Sequence, residues 1–242
     1  ASDVYKRQVY YQPKLCLKTG KLLGAEALAR MQNQQGQWVS PLEFIPLAEE
    51  TGLIAELGLQ VLRQACLDCL SWQQQGYQVP VSVNIAAAQF ADPQLVQQIK
   101  DLLAELQLSA QLLELEVTES ALMLDVSKTQ NMLSQLRASG IRTSIDDFGT
   151  GYSSLSYLKK FQVDVLKIDK SFVQEMLTDR GDMEIVKAVI SLAQSMNLQL
   201  IAEGIENEAQ KDMLIKLGCE VGQGYLFSKP LSAANFRTYV CQ

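Results

Sequence analysis

Seven polar residues carry the chemistry this chain could perform: Glu26, Asn84, Glu116, Asp146, Lys167, Glu203 and Gln223, with Asp147 as a fifth carboxylate. Each falls at or just past the C-terminal end of a predicted strand, one or two strand–helix units from the next. If the strands close into a barrel, their C-terminal ends converge on one mouth, where such folds place their chemistry. Carboxylates held a few ångströms apart repel by about 4 kcal/mol per close pair at an effective dielectric of about 20. The one lysine of the set, Lys167, cannot offset that. Either several carboxyls are protonated or divalent cations fill the centre, and an Asn–Glu–Glu–Asp set is a good hard-cation shell. The adjacent Asp146 and Asp147 suit a pair of ions, one residue bridging both and its neighbour serving the second. A single acidic residue at a strand end is more often a solvated loop residue or a helix cap. Glu114, Glu116 and Glu119 could be simple alternation along a strand. Seven coincidences are harder to dismiss, and Asn84 inside Val81-Ser82-Val83-Asn84-Ile85 needs a polar partner.

Composition narrows the chemistry. The chain has no histidine, which removes the commonest general base and the commonest transition-metal ligand. A catalytic metal must then sit among oxygens, favouring Mg²⁺ or Mn²⁺ over zinc. A net charge of −6 argues against binding a nucleic-acid polymer, which calls for a basic face. A small anionic ligand stays possible where a metal reverses the local sign. No apolar run approaches the roughly 20 residues of a membrane helix, so no membrane insertion is expected. Five cysteines, Cys16, Cys66, Cys69, Cys219 and Cys241, have no framework spacing. The Cys66–Cys69 pair lies in a helical pattern and reads as reduced thiols rather than a redox or metal site.

The elements that must position these residues are legible. Predicted strands cover Val9–Leu17, Lys21–Leu28, Val79–Ile85, Leu112–Val117, Arg142–Asp146, Val163–Ile168, Gln199–Ala202 and Cys219–Gly222, several of them nearly continuous apolar runs suited to parallel strands covered on both faces. Helix starts are marked by Ser40-Pro41-Leu42-Glu43 as a capping box, by Asp92-Pro93, and by Asn207 with Gln210, whose helix should end at Gly218. About eight repeats in 242 residues match the roughly 250 of one barrel. The first two strands are joined only by Lys18-Thr19-Gly20, too short for a crossover, so they pair as a hairpin. The expected fold is α/β, a TIM-like (β/α)8 barrel with one antiparallel strand, a single domain over 1–242 with its core at about 9–240. The opening Ala1-Ser2-Asp3 lacks a methionine, as a tag remnant or a module excised from a longer multidomain protein would.

In order along the chain, Gln12-Pro13, Glu26-Ala27-Leu28 with Arg30, Phe44–Glu49 with Gly52-Leu53-Ile54, Ser82-Val83-Asn84, Leu113–Ser120, Asp146–Leu155, Lys167-Ile168-Asp169, Ala202–Glu206, and Gln223–Phe227 with Pro230 resemble the motifs of EAL domains. That resemblance implies a metal-dependent phosphodiesterase that opens cyclic-di-GMP to linear pGpG, with two Mg²⁺ or Mn²⁺ activating water. It assigns Glu26, Asn84, Glu116 and Asp146 to the first metal, and Asp146, Asp147 and Glu203 to the second. Lys167 would hold the attacking water, with Glu203 also a candidate base. Gln12, Leu28, Arg30, Glu206 and Gln223 would contact substrate, Arg30 at a phosphate. Glu119 would pin the Asp147–Leu155 loop, a segment linked in the family to dimerisation. A homodimer is implied, as is a cytoplasmic location, alone or as the cytoplasmic part of a membrane-anchored sensor. One departure is Ile85-Ala86-Ala87-Ala88-Gln89, where relatives carry a serine and a basic residue; it removes no ligand and is expected to adjust packing or substrate affinity. Two other readings compete. One is a silent module that binds cyclic-di-GMP or a protein, although every matched position is intact. The other is an enolase-like barrel, which needs a capping domain that this length leaves no room for.

Overall fold

The computed structural model describes residues 6–150 and 155–241. Ten strands among the described residues run in chain order: β1 (Lys6–Cys16), β2 (Leu22–Gln32), β3 (Trp38–Val39), β4 (Val81–Asn84), β5 (Leu113–Thr118), β6 (Arg142–Phe148), β7 (Val165–Ile168), β8 (Gln199–Ala202), β9 (Val221–Gly222) and β10 (Leu231–Ser232). Eight of them close a barrel in the order β1-β9-β8-β7-β6-β5-β4-β2, the pairing of β2 with β1 completing the ring. β1 runs antiparallel to both neighbours, and the remaining barrel pairs are parallel. The hairpin read from Lys18-Thr19-Gly20 is present, with Gly20 at φ 71° making the turn a side chain would strain.

Three local expectations are corrected. β2 continues past Leu28 to Gln32, because beyond the barrel its Met31 and Gln32 pair with β3 on one side while β1 follows it on the other. The helix after Asp92-Pro93 starts at Leu95: Asp92 Oδ1 accepts from the Gln94 N–H at 2.8 Å, a turn that precedes the helix instead of capping it. Ser40 caps its helix through the Leu42 N–H, without Glu43 completing a box. The Asn207–Gln210 box and the left-handed Gly218 stand as expected.

Helices cover the outer face of the ring. The longest, Ile54–Gln74, buries Leu62, Ala65, Cys66, Cys69 and Trp72, and Trp72 meets Tyr11 edge-on at 4.9 Å. Cys66 and Cys69 are unpaired thiols within this packing. Because strand side chains alternate, each barrel strand sends residues two apart into the ring. Those interior pairs are Gln12 and Lys14, Gly24 and Glu26, Ser82 and Asn84, Glu114 and Glu116, Ser144 and Asp146, Val165 and Lys167, Ile201 and Glu203, and Val221 and Gln223. Apolar packing inside the ring is confined to Val165, Ile201 and Val221 on β7–β9, a cluster separate from the main core. The remaining positions of these interior pairs, Gly24 aside, carry polar side chains.

Candidate active site

Lys167, fully buried near the end of β7, is the hub. Its Nζ lies 2.5 Å from Glu116 Oε2, 2.7 Å from Glu203 Oε1, 3.0 Å from Asp146 Oδ1 and 3.5 Å from Glu26 Oε2. Gln223 Nε2 donates to Glu26 at 2.5 Å and to Glu203 at 2.9 Å. Asn84 Nδ2 donates to the other Glu26 oxygen at 2.8 Å. All seven residues singled out at strand ends are thus linked around one point.

A bulge brings in the fifth carboxylate. The β6–β7 register shifts between Ile145 and Phe148, and Asp147 sits there with φ 53°. In a regular strand Asp146 and Asp147 would point to opposite faces; a left-handed residue at a bulge lets both reach the rim. Non-glycine residues held this way cluster where function over-determines the backbone. Oxygens of Glu26, Glu116 and Asp146 lie within 4.8 Å of one another, as do those of Asp146, Asp147 and Glu203. The two triads share Asp146.

The electrostatics follow from burial. Desolvation pushes the Glu26 carboxyl above its usual range, and the Glu116 charge adds to it. Burial raises Glu203 well above that range despite Lys167. Asp147 is pushed up to about 6 by burial, by Asp146 and by a hydrogen bond with Asp169. Burial works against the charge on Lys167 too, but Asp146, Glu116 and Glu203 outweigh it and keep the ammonium protonated. Glu116 goes the other way: burial opposes its ionisation, yet Lys14 and Lys167 hold it well below the ordinary value.

Lys14 corrects the sequence-level charge count, which held one lysine. It is buried in β1, with Nζ 2.7 Å from Glu116 Oε1 and 3.0 Å from Glu114 Oε1. Asp169 was also missed as a site residue. It is buried behind Asp147 and caps its helix by accepting from the Ser171 N–H at 2.9 Å. The signal for Lys14 was parity with Gln12, two residues earlier on the same strand face.

The outer residues are dispersed along the rim. Gln12 faces Glu26 across the hairpin and donates to the Ser228 carbonyl at 3.3 Å. Arg30 stands over the Tyr10 ring at 5.9 Å, and Leu28 pairs with Tyr10 in register. Glu206 is exposed and accepts from Gln174 Nε2 at 2.8 Å, making no contact with the Lys167 cluster among the described contacts. Glu119 is buried, and its Oε2 accepts from the Gly149 N–H at 3.1 Å. Of the loop it was expected to pin, 151–154 lies outside the described residues. At the departure from the motif, Gln89 packs its amide against Gly58, whose hydrogen leaves the space a Cβ would fill.

The donors fit divalent cations. They are hard oxygens in two linked triads, and among the described residues the buried Gln223 Oε1 beside them has no hydrogen-bond partner. Among the described residues no nitrogen or sulfur ligand joins them, which matches Mg²⁺ or Mn²⁺.

A mixed barrel with such an acidic, cation-ready mouth defines a class of barrel whose chemistry sits at the strand C-termini. Within that class, this chain belongs to the EAL domain family, whose model matches residues 4–230. It is 45% identical over 234 residues to the signaling protein YkoW of Bacillus subtilis, covering 97% of this chain and 29% of that one. It is 43% identical to the bifunctional diguanylate cyclase/cyclic di-GMP phosphodiesterase MucR of Pseudomonas aeruginosa, covering 93% of this chain and 33% of MucR. The chain therefore spans about a third of the length of these curated relatives. Among solved structures, the PaMucR phosphodiesterase in complex with c-di-GMP superposes with a TM-score of 0.92 at 42% identity, over 95% of this chain and 94% of that one. The fold is confirmed as an EAL barrel, and relatives in the family are named cyclic di-GMP phosphodiesterases. No helix among the described residues is long and apolar enough to cross a membrane.

Proposed function

We propose that this domain hydrolyses one phosphodiester bond of cyclic-di-GMP, releasing linear pGpG, with two Mg²⁺ or Mn²⁺ bound at the mouth. The supporting observation is the pair of carboxylate triads sharing Asp146 around a buried lysine. Glu26, Asn84, Glu116 and Asp146 would hold one cation, and Asp146, Asp147 and Glu203 the other. When bound, the cations would make water a nucleophile at neutral pH and neutralise charge on the phosphoryl oxygens. The chain's own groups do the rest. Lys167 orients the attacking water and, held in place by four carboxylates, cannot swing away. Glu203, whose carboxylate lies 2.7 Å from Lys167 Nζ, takes the proton as the oxygen attacks phosphorus. The bond from phosphorus to the ribose 3′ oxygen breaks, and that oxygen takes a proton from solvent water at the open mouth. Gln12, Leu28 and Arg30 face the substrate from the hairpin, Arg30 toward a phosphate. Glu206 and Gln223 border the mouth, and Glu119 steadies the loop through Gly149.

The test is a nucleotide assay on the purified domain, separating cyclic from linear product. Linear product should form with Mg²⁺ or Mn²⁺, stop in excess chelator, and fall by at least about a hundredfold in Glu26→Gln, the scale of losing a group needed in the transition state. Binding of cyclic-di-GMP without any turnover in either metal refutes hydrolysis and favours the silent binding module.

A further inference from the structure

Beneath the mouth lies a charged group to which the proposed chemistry gives no role. Lys14 is 5% exposed, two residues from Gln12 on β1, and its ammonium bridges Glu116 Oε1 and Glu114 Oε1. The other Glu116 oxygen meets Lys167. Glu114 Oε2 lies 3.8 Å from Arg142, which donates to Gln199 at 2.5 Å. Charges therefore alternate from the mouth to the opposite end of the barrel: Lys167, Glu116, Lys14, Glu114, Arg142. A buried ammonium is costly unless its partners are close and well aligned, and here both partners are buried glutamates of one strand.

The geometry constrains Glu116 most. Its side chain is fully enclosed, and each carboxylate oxygen is committed to a different lysine. Rotating the carboxylate plane would break a 2.7 Å charged hydrogen bond on one side or a 2.5 Å one on the other. Lys14 holds the far oxygen, so the near one stays turned toward Glu26 and Asp146. We propose that Lys14 is a positioning residue for the cation site, fixing the orientation of Glu116 from below. This rests on the reading of Glu116 as a cation ligand. Outer partners of ligating side chains typically cost 10–100-fold in metal affinity when removed, and a clamp on one ligand belongs at about the lower end of that range.

The experiment compares wild type with Lys14→Met, Glu114→Gln and the double variant Lys14→Met/Glu114→Gln. Mn²⁺ binding is measured by calorimetry, unfolding is followed in chelator, and steady-state kinetics are taken at limiting and saturating Mn²⁺. Lys14→Met should bind Mn²⁺ about tenfold more weakly. Its kcat should fall at limiting Mn²⁺ and recover toward wild type as Mn²⁺ is raised, with KM for cyclic-di-GMP changed less than about twofold, since only ligand orientation is lost. Glu114→Gln keeps the Lys14–Glu116 bond and should bind Mn²⁺ within about twofold of wild type. The double variant removes the stranded Glu114 charge, so it should melt closer to wild type while its Mn²⁺ affinity stays weak. Recovery of both stability and affinity in the double variant overturns the proposal, because the Lys14→Met defect would then be one of folding. Wild-type affinity in Lys14→Met, beside a wild type that binds Mn²⁺, overturns this inference alone. A wild type that binds no Mn²⁺ overturns the cation reading of the site as well.

Discussion

Replacing Lys167 with methionine isolates the charge at the hub. Methionine fills similar space, so the change removes an ammonium lying within 3.5 Å of four carboxylates and little else. Taking one partner from a buried ionic network costs about 3–5 kcal/mol. Part of that is recovered because Glu203 and Glu26, already raised by burial, can take up a proton. The net loss should therefore sit near the lower figure. At about 2–4 °C per kcal/mol for a chain of this size, the variant should melt about 6–12 °C below wild type in chelator. Saturating Mg²⁺ supplies the missing positive charge directly, so the rise in melting temperature on adding it should be larger in the variant than in wild type. Turnover should nonetheless remain at least about a hundredfold down, the scale of losing a group positioned on the reacting atoms. Thermal unfolding of both proteins with chelator and with Mg²⁺ reads the first two quantities. A chelator melting point within about 2 °C of wild type, or equal cation-induced shifts, would refute the account of Lys167 as the charge that holds the carboxylates together in chelator.

Two further outcomes follow from the same electrostatics. Asp147, at about 6 against an ordinary 3.8, together with the raised Glu26 and Glu203, holds protons in the folded chain that the unfolded chain releases. In chelator, stability should then fall as pH rises from about 4.5 toward about 6, whereas in saturating Mg²⁺, which must displace those protons, it should rise over the same interval. The depressed Glu116 and Asp169 contribute stability that is lost only below that interval, so a chelator profile that is flat or rising across it contradicts the assignment. Separately, burial pushes the Cys66, Cys69 and Cys219 thiols up to about 12, while Cys241 is exposed and Cys16 half-buried. Since the thiolate is the nucleophile, alkylation of the native protein at neutral pH should mark Cys241 and Cys16 first. Peptide mass spectrometry showing Cys66 labelled at the same rate would mean that the Ile54–Gln74 helix opens readily.

What could be read in advance divides along physical lines. Strands buried on both faces announce themselves as apolar runs, and a three-residue connection admits only a hairpin, so the barrel and its antiparallel strand were legible. The mouth was legible because glutamate and asparagine are expensive inside such strands and recur where strands end. β3 and β10 were not, since two-residue pairings carry no periodicity. The bulge at Asp147 was hidden too: two adjacent aspartates read the same whether they share a face or straddle a strand, and only the backbone at φ 53° decides it.

Lys14 shows a subtler limit. A lysine in a strand reads as a solvated edge residue, because the ordinary cost of burying it is prohibitive. That cost vanishes from view only when its partners are known, and those partners sit about a hundred positions away on β5. Parity alone places Lys14 on the face of Gln12 without saying whether that face meets water or the barrel axis. Once the barrel is closed the logic reverses. An interior carrying Glu26, Glu114, Glu116, Asp146 and Glu203 is costly unless internal cations or bound protons offset its charge, and a second buried lysine lowers that cost. The carboxylates that suit the mouth to divalent ions thus demand fixed positive charge deeper in the same barrel, and the alternating column from Lys167 to Arg142 meets that demand.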